Sequence, residues 1–490
     1  MIKVVFLLLF GVLRLFSIGP FVAGSFYPDK ENDLKDFLSE KIKKAQLYTK
    51  NIEKNKIKAV IVPHAGYIYS GQIAAISYSA ISKDTERFII ITPSHRVPID
   101  GATTIKEDFI TPLGKIETDK EFIDELLKEK IFEEKKDSFY NEHSLEVQLP
   151  FIQYLFKKAI IVPILVNTED IPKLIKISEK IFDVINQKKK KTIIIISSDF
   201  SHYPENEVSL ISDKTMIEAI KTLDENYIYL TSKVLLLKGV LNLDTTACGL
   251  SAIIVGTHLS KLMGAKSFTL IKNSNSYLET GNEKLKSNVV GYVSAIFSEE
   301  ENKKDKYTLK EEDKKILLKR ARDSIKENLL GRGNLVFSHS LNQNPYFNLP
   351  KAVFVTLTTK DKGYLRGCMG TTQPQMSLYD AVAYFAQVAA TEDPRFKPLQ
   401  LNELENIKIE ISILSNLKKV NDYKDIKKGD GVVLITKQGS GLFLPQVWKQ
   451  IPNKEDFLSE LCYEKAGVDK DCWKRNETQF YIFSVESFEE

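Results

Sequence analysis

Few residues in this chain are equipped for chemistry, and their placement is uneven. The 490-residue sequence holds 6 histidines and 4 cysteines. Four histidines stand where an apolar run gives way to polar sequence: His64 directly after Pro63, His95 just after Pro93, His143 in NEHSLE, and His202 in SSDFSHY behind Asp199. His143 and Glu146 have the spacing that puts two groups on one helix face. Cys248 precedes Gly249 in DTTACG. Imidazoles suit iron, zinc, copper or nickel, and Cys248 would add a soft thiolate. Two histidines and a cysteine can leave a coordination position open for water, oxygen or substrate. Asp199 and His202 would then orient or deprotonate a bound group. A metal-free chemistry uses the same residues, with Cys248 as nucleophile, a histidine as base and Asp199 or Glu146 as the orienting acid. In the plainest reading the histidines are hydrogen-bonding core residues.

Strands must deliver these side chains. Thr192 to Ile196 is a β-branched run between QKKKK and the polar SSDFSHY, which predicts a strand buried on both faces, as in a parallel sheet covered by helices. Ligands in such sheets collect beyond the carboxyl ends of the strands. Residues 58–62, 88–92 and 159–166 repeat the pattern, 289–297 reads as a closing strand, and 100–118 as a turn-rich antiparallel excursion. Helices are expected at 29–44, 72–80, 120–134, between Val166 and Asn186, from Met216 to Ile220, and at Leu250 to Gly256. The alternation over 56–297 predicts a three-layer α/β domain. Residues 299–306, EEENKKDK, contain no apolar side chain and set a domain boundary. The organisation expected is an apolar leader at 1–19, a first domain at 20–297, a charged linker at 298–306 and a second domain at 307–490. That second domain reads as α+β with antiparallel strands: a helix at 310–330, strands at 352–359 and 407–414, a hairpin over 431–444, and a last strand at 479–485.

Composition narrows the classes further. With 43% hydrophobic and 27% charged residues the chain is globular, and it is too long for a single core. Its 69 basic and 65 acidic residues leave a net charge of +4, and the short lysine runs carry no interleaved aromatics, so no nucleic-acid partner is expected. The cysteines form no CxxC pair and are expected to be packing residues rather than a disulfide framework, in a reducing cytoplasm. The apolar run from Val4 to Leu13 is shaped somewhat like a signal peptide, but Arg14 interrupts it and it is shorter than a membrane span. Export or membrane tethering, with membrane contact only if residues 1–19 are retained, stands as the alternative location.

Several motifs together carry a resemblance. VAGSFYP (Val22 to Pro28), PHAGYIYSG (Pro63 to Gly71), PSH (Pro93 to His95), NEHSLEVQLPF (Asn141 to Phe151), SSDFSHY (Ser197 to Tyr203) and ACG (Ala247 to Gly249) resemble the Memo family over residues 20–297. The resemblance implies the fold of the catalytic subunit of class III extradiol dioxygenases. It implies one iron or copper ion, with zinc as a further candidate, on His64, His95 and Cys248. Asp199 and His202 become neighbouring pocket residues, and His143 and Glu146 match the pocket-lining motif. Arg96 stands where many relatives have a second histidine, and the related dioxygenases use a carboxylate where this chain has Cys248. Oxygen insertion into an aromatic ring is therefore not implied.

The second half, through YLRGCMG (Tyr364 to Gly370), DPRF (Asp393 to Phe396), FLPQVW (Phe443 to Trp448) and FLSELCYEKAG (Phe457 to Gly467), resembles the AMMECR domain over 307–489. Arg366 beside Cys368 suggests an anion-binding or nucleophilic corner there. The fusion is similar to the bacterial and archaeal AmmeMemoRadiSam arrangement, in which such proteins accompany a radical S-adenosylmethionine enzyme. This chain has no cysteine triad for an iron–sulfur cluster, so the radical chemistry would belong to a partner. The expectation is a metal-dependent redox or oxygen-handling protein acting on a small molecule or peptide. The alternatives are a cysteine-dependent hydrolase or transferase and a non-catalytic adaptor.

Overall fold

The computed structural model describes residues 17–301, 307–332 and 338–490. Six strands build the centre of the first unit: β1 (Ile57–Val62), β2 (Arg87–Thr92), β3 (Ile160–Asn167), β4 (Thr192–Ser197), β5 (Ser267–Asn275) and β6 (Gly291–Ser298). They lie in the order β3-β2-β4-β1-β6-β5 within an 11-stranded sheet. The pairs β3/β2, β2/β4 and β4/β1 are parallel, whereas β6 runs antiparallel to β1 and β5 antiparallel to β6. Gly101–Thr104, Asp108–Thr111 and Gly114–Thr118 extend the β3 edge, so the expected excursion at 100–118 is part of the sheet.

Helices cover both faces of the sheet. One face of the central strands, with Val60, Val62, Phe88, Ile90, Ile193 and Ile195, shares a core with α1 (Glu31–Thr49) and α2 (Tyr67–Ser79). On α3 (Ile171–Gln187) the buried residues Ile171, Leu174, Ile177, Ile181 and Val184 recur at helical spacing, and the helix opens with an Asp170 cap accepting from the Lys173 N–H. The helix α4 (Leu250–Leu262) packs so close to β4 that a Cβ on Gly256 would lie 2.3 Å from Ile196. This is the three-layer α/β architecture expected.

Some local expectations are corrected. The helix expected at 120–134 stops at Leu126, because Phe132 is buried as part of a strand, Phe132–Glu134, paired with Gly101–Thr104. The helix placed from Met216 begins at Asn206, a second follows at Glu225–Leu237, and β5 was not anticipated. Of the apolar stretch 1–19, residues 1–16 lie outside those described. Ser17–Ile18 pairs in parallel with Asp108–Phe109, and Ile18 is buried. Residues 302–306 of the charged linker also lie outside the described residues. Among the described residues no helix is long and apolar enough to cross a membrane.

The second compact unit comprises Tyr307–Ser338 and Tyr346–Glu490, while His339–Pro345 is grouped with the first. It holds two four-stranded antiparallel sheets, one ordered Leu365–Gly370, Ala352–Thr359, Ile407–Leu414, Val485–Glu489, the other built from Lys418–Val420, Gln479–Phe483, Gly431–Ile435 and Ser440–Phe443. Helices Glu311–Leu329 and Leu378–Thr391 share the core of the first of these sheets. The cysteine expectation is corrected here: Cys462 and Cys472 form a disulfide, leaving Cys248 and Cys368 free. The π-helical turn Leu461–Lys465 and the turn at Cys472 bring the two thiols together, a proximity that their separation in sequence does not reveal.

Candidate metal centre

Three neighbouring strands end at one rim. β1 stops at Val62 before Pro63, β2 at Thr92 before Pro93, and β4 at Ser197 before Ser198 and Asp199. Proline has no N–H to give the ladder, and at Pro63 and Pro93 the chain leaves its strand and turns over the sheet edge. His64, His95 and Asp199 emerge there together.

His64 is almost wholly buried. Its backbone N–H donates to Asp199 Oδ1 at 2.8 Å, and its Nδ1 lies 2.9 Å from Ser197 Oγ. His95 is held by Glu142: the backbone N–H donates to Oε2 at 2.6 Å, and Nδ1 lies 2.9 Å from Oε1. His143 opens the turn His143–Glu146, capped by Glu142, with its ring 4.9 Å from that of Phe26. The ring centroids of His95 and His143 are 4.7 Å apart, and those of His64 and His95 are 5.2 Å apart. One ligand nitrogen from each of His64, His95 and His143 lies within 4.8 Å of the others, a spacing at which the three can hold one metal ion.

Cys248 approaches His64 from the start of α4, outside the group of three imidazoles whose ligand atoms lie within 4.8 Å of one another. Its N–H donates to the Asp199 carbonyl at 3.2 Å, and its Sγ lies 3.0 Å from His64 Nε2. Gly249 makes this approach feasible, since a Cβ there would stand 2.8 Å from the Ser197 carbonyl oxygen. His202 lies on the loop after β4, fixed by its N–H to the Thr245 carbonyl, with Tyr203 beside it in left-handed backbone.

Electrostatics favour neutral imidazoles. Burial, then repulsion from the neighbouring histidines, holds His64 well below its ordinary value. Burial and His95 bring both His143 and His202 down to about 4. Burial pushes Asp199 up to about 7 against the backbone N–H groups it accepts, and it pushes the Cys248 thiol up as well. His143 Nδ1 and His202 Nε2 are buried without a hydrogen-bond partner. Buried polar atoms are ordinarily paired; His143 Nδ1 has the Glu142 carboxylate 3.7 Å away, whereas His202 Nε2 is left to take a partner that enters the site.

The remaining candidates are placed differently. Both carboxylate oxygens of Glu146 are engaged by the backbone of the N-terminal segment and by a tyrosine: Phe21 N–H at 2.8 Å, Val22 N–H at 3.0 Å and the Tyr27 hydroxyl at 2.7 Å. It fastens residues 21–27 over the sheet. In the second unit, Arg366 forks onto Glu403 and also donates to the Lys397 carbonyl. Cys368 is half-buried; its N–H donates to Asp393, and Thr356 Oγ1 lies 3.3 Å from its sulfur. His258 pairs with Glu225, and His339 Nδ1 lies 2.9 Å from the Lys238 carbonyl. Two residues at the site carry no role in the sequence reading, Glu142 and Ser197. Only the acid next to His143 in NEH hints at the first, and its partner His95 is 47 positions away.

Comparison with known proteins places this geometry in context. A family model described as Memo-like protein matches residues 19–296, and one described as AMMECR1 matches residues 318–488. A MEMO1 family protein of Archaeoglobus fulgidus is 33% identical over 281 residues, 57% of this chain and 98% of that protein. Another from Nitrosopumilus maritimus is 36% identical over 283 residues, again 57% and 98%. The crystal structure of uncharacterized protein PH0010 from Pyrococcus horikoshii is 33% identical, covering 38% of this chain and 94% of that one, with a TM-score of 0.34.

Proposed function

We propose that this chain, which belongs to the Memo family through residues 19–296 and carries an AMMECR1 domain at 318–488, is a metal-dependent redox or oxygen-handling protein. The observation that carries the reading is the convergence of His64, His95 and His143 on one point, with Cys248 Sγ in contact with His64 Nε2. His64, His95 and Cys248 would hold the ion, and His143 brings a third imidazole to the same space. Iron or copper suits imidazole with thiolate, and zinc accepts the same donors. When bound, the ion supplies Lewis-acid or electron-transfer chemistry at the rim. The chain's own residues do the rest. Asp199 holds the His64 backbone and the Cys248 N–H in place, and His202, neutral and buried with a free Nε2, takes or delivers a proton to a bound group. In the same reading, a separate radical S-adenosylmethionine protein acts on the substrate before or after this one.

The test is metal content by elemental analysis on anaerobically purified protein, wild type beside His64→Ala and Cys248→Ala. About one iron or copper per chain, lost in both variants while the fold is kept, is the result expected of a three-ligand centre. Wild type that takes up no iron, copper or zinc overturns it. The Sγ to Nε2 contact then favours the second reading, Cys248 as a nucleophile with His64 as its base. Activity that survives exhaustive chelation and disappears in Cys248→Ala is the signature of that chemistry.

A further inference from the structure

Hydrogen-bond accounting at the rim decides which nitrogen of each imidazole carries the proton. Ser197 Oγ lies 2.8 Å from the Ser144 carbonyl, which can only accept, so the single hydroxyl hydrogen goes there. Gln148 Nε2 donates to the same Oγ at 3.0 Å and is itself fixed by the Tyr78 hydroxyl donating to its Oε1 at 2.9 Å. Toward His64 Nδ1, Ser197 can therefore only accept. The proton is on Nδ1, and Nε2 faces Cys248 with its lone pair. At His95 a carboxylate plays the same part. Glu142 Oε1 accepts from Nδ1–H while Oε2 accepts from the His95 backbone N–H; the Ser144 N–H also donates to Oε1, and the Ser144 hydroxyl is shared between Oε1 at 2.7 Å and the Pro93 carbonyl at 3.1 Å. The Glu142 side chain is fully buried. A buried carboxylate is costly unless its partners hold it in the charged form, and every partner here is a donor.

We infer that Glu142 and Ser197 are positioning residues that lock His95 and His64 as Nδ1–H tautomers, so that both present Nε2 to the shared ligand. The inference builds on the metal reading but is decided without it. Glu142→Gln is the informative change, because the amide has one oxygen and one NH2 where the carboxylate has two acceptors. Neither the His95 backbone N–H, 2.6 Å from Oε2, nor the Ser144 N–H, 3.2 Å from Oε1, can reverse; the shorter contact takes the amide oxygen and the NH2 turns to Nδ1. The imidazole must then move its proton to Nε2, the atom that would bind metal.

Nitrogen NMR on the metal-free protein reads this directly. Wild type shows Nδ1–H at His64 and His95; Glu142→Gln moves His95 to Nε2–H, and Ser197→Ala removes the Nδ1–H preference of His64 alone. Zinc affinity of each variant falls about 10- to 100-fold, the usual effect of losing a group that orients a ligand, with far-ultraviolet circular dichroism unchanged. His95 still Nδ1–H in Glu142→Gln, or His64 unaltered in Ser197→Ala, overturns the inference. Wild type that binds no zinc overturns the metal reading instead, and the tautomers are still read. Should Glu142→Gln fail to fold, Ser197→Ala decides the matter at His64.

Discussion

At the scale of single residues, the carboxylates of this chain differ by their donors. Glu146, which the motif places in the pocket, is occupied by Phe21, Val22 and Tyr27. Glu142, four residues earlier, grips a candidate ligand. Away from the site, Glu225 shows how such engagement turns into stability. Burial opposes its ionisation, but hydrogen bonds from His258 and Lys261 outweigh it and hold the pKa at about 2, against 4.5 for an unperturbed glutamate. A depressed folded-state pKa contributes stability that is fully present above the unfolded value and is lost as pH falls from 4.5 towards 2. Glu225→Gln is therefore expected to be less stable than wild type at neutral pH by about 1–2 kcal/mol after solvent screening. The gap should close across that acid window, and denaturant titrations at several pH values check it. Positions such as His64 and His95 were legible because proline and β-branched runs act locally. The Glu146 partners were not, since they lie 119 to 125 positions away.

At the scale of elements, α4 is the piece that makes Cys248 a neighbour of the histidines. The glycines on and before it are the reason it can. A Cβ at Gly256 would stand 2.3 Å from the Ile196 side chain on β4. Alanine is favoured over glycine inside a helix by about 1 kcal/mol. Overpacking a close-packed core costs about 1–3 kcal/mol, and with a branched, buried neighbour on a central strand the overpacking term wins. Gly256→Ala should lower the unfolding midpoint in denaturant. Shortening the neighbour as well, in Gly256→Ala with Ile196→Val, should recover part of the loss; a stabilised single variant would show that α4 can retreat from β4. The long parallel strands were legible from their unbroken apolar runs. β5 was missed because KSFTLIKNSN alternates and is only partly buried at an edge of the sheet.

At the scale of the whole molecule, the chain carries separate cores. Val60, Phe88 and Ile195 belong to one, Leu317, Val355 and Ile411 to another, and Trp448, Phe457 and Trp473 to a third around the disulfide. A disulfide closing a short loop stabilises by about 2–4 kcal/mol. Calorimetry of the full chain should therefore show the transition of the second unit falling on reduction, or in Cys472→Ser, while that of the first unit stays where it was. A single transition that shifts as a whole would mean that the two units unfold together.

The alternation of strand and helix, the antiparallel second unit and the emergence of His64, His95 and His202 just past strands could be read from the amino acids alone. Each of these follows from periodicity, proline and charge acting over a few residues. Which side chains meet came from the folded arrangement: Glu142 with His95, Ser197 with His64, Cys248 with His64 Nε2, Glu146 with the N-terminal segment, and Cys462 with Cys472. Most of those contacts join residues far apart in the chain, set by how strands β1, β2 and β4 are ordered in the sheet and how closely α4 can pack on them. Local pattern carries no information about either.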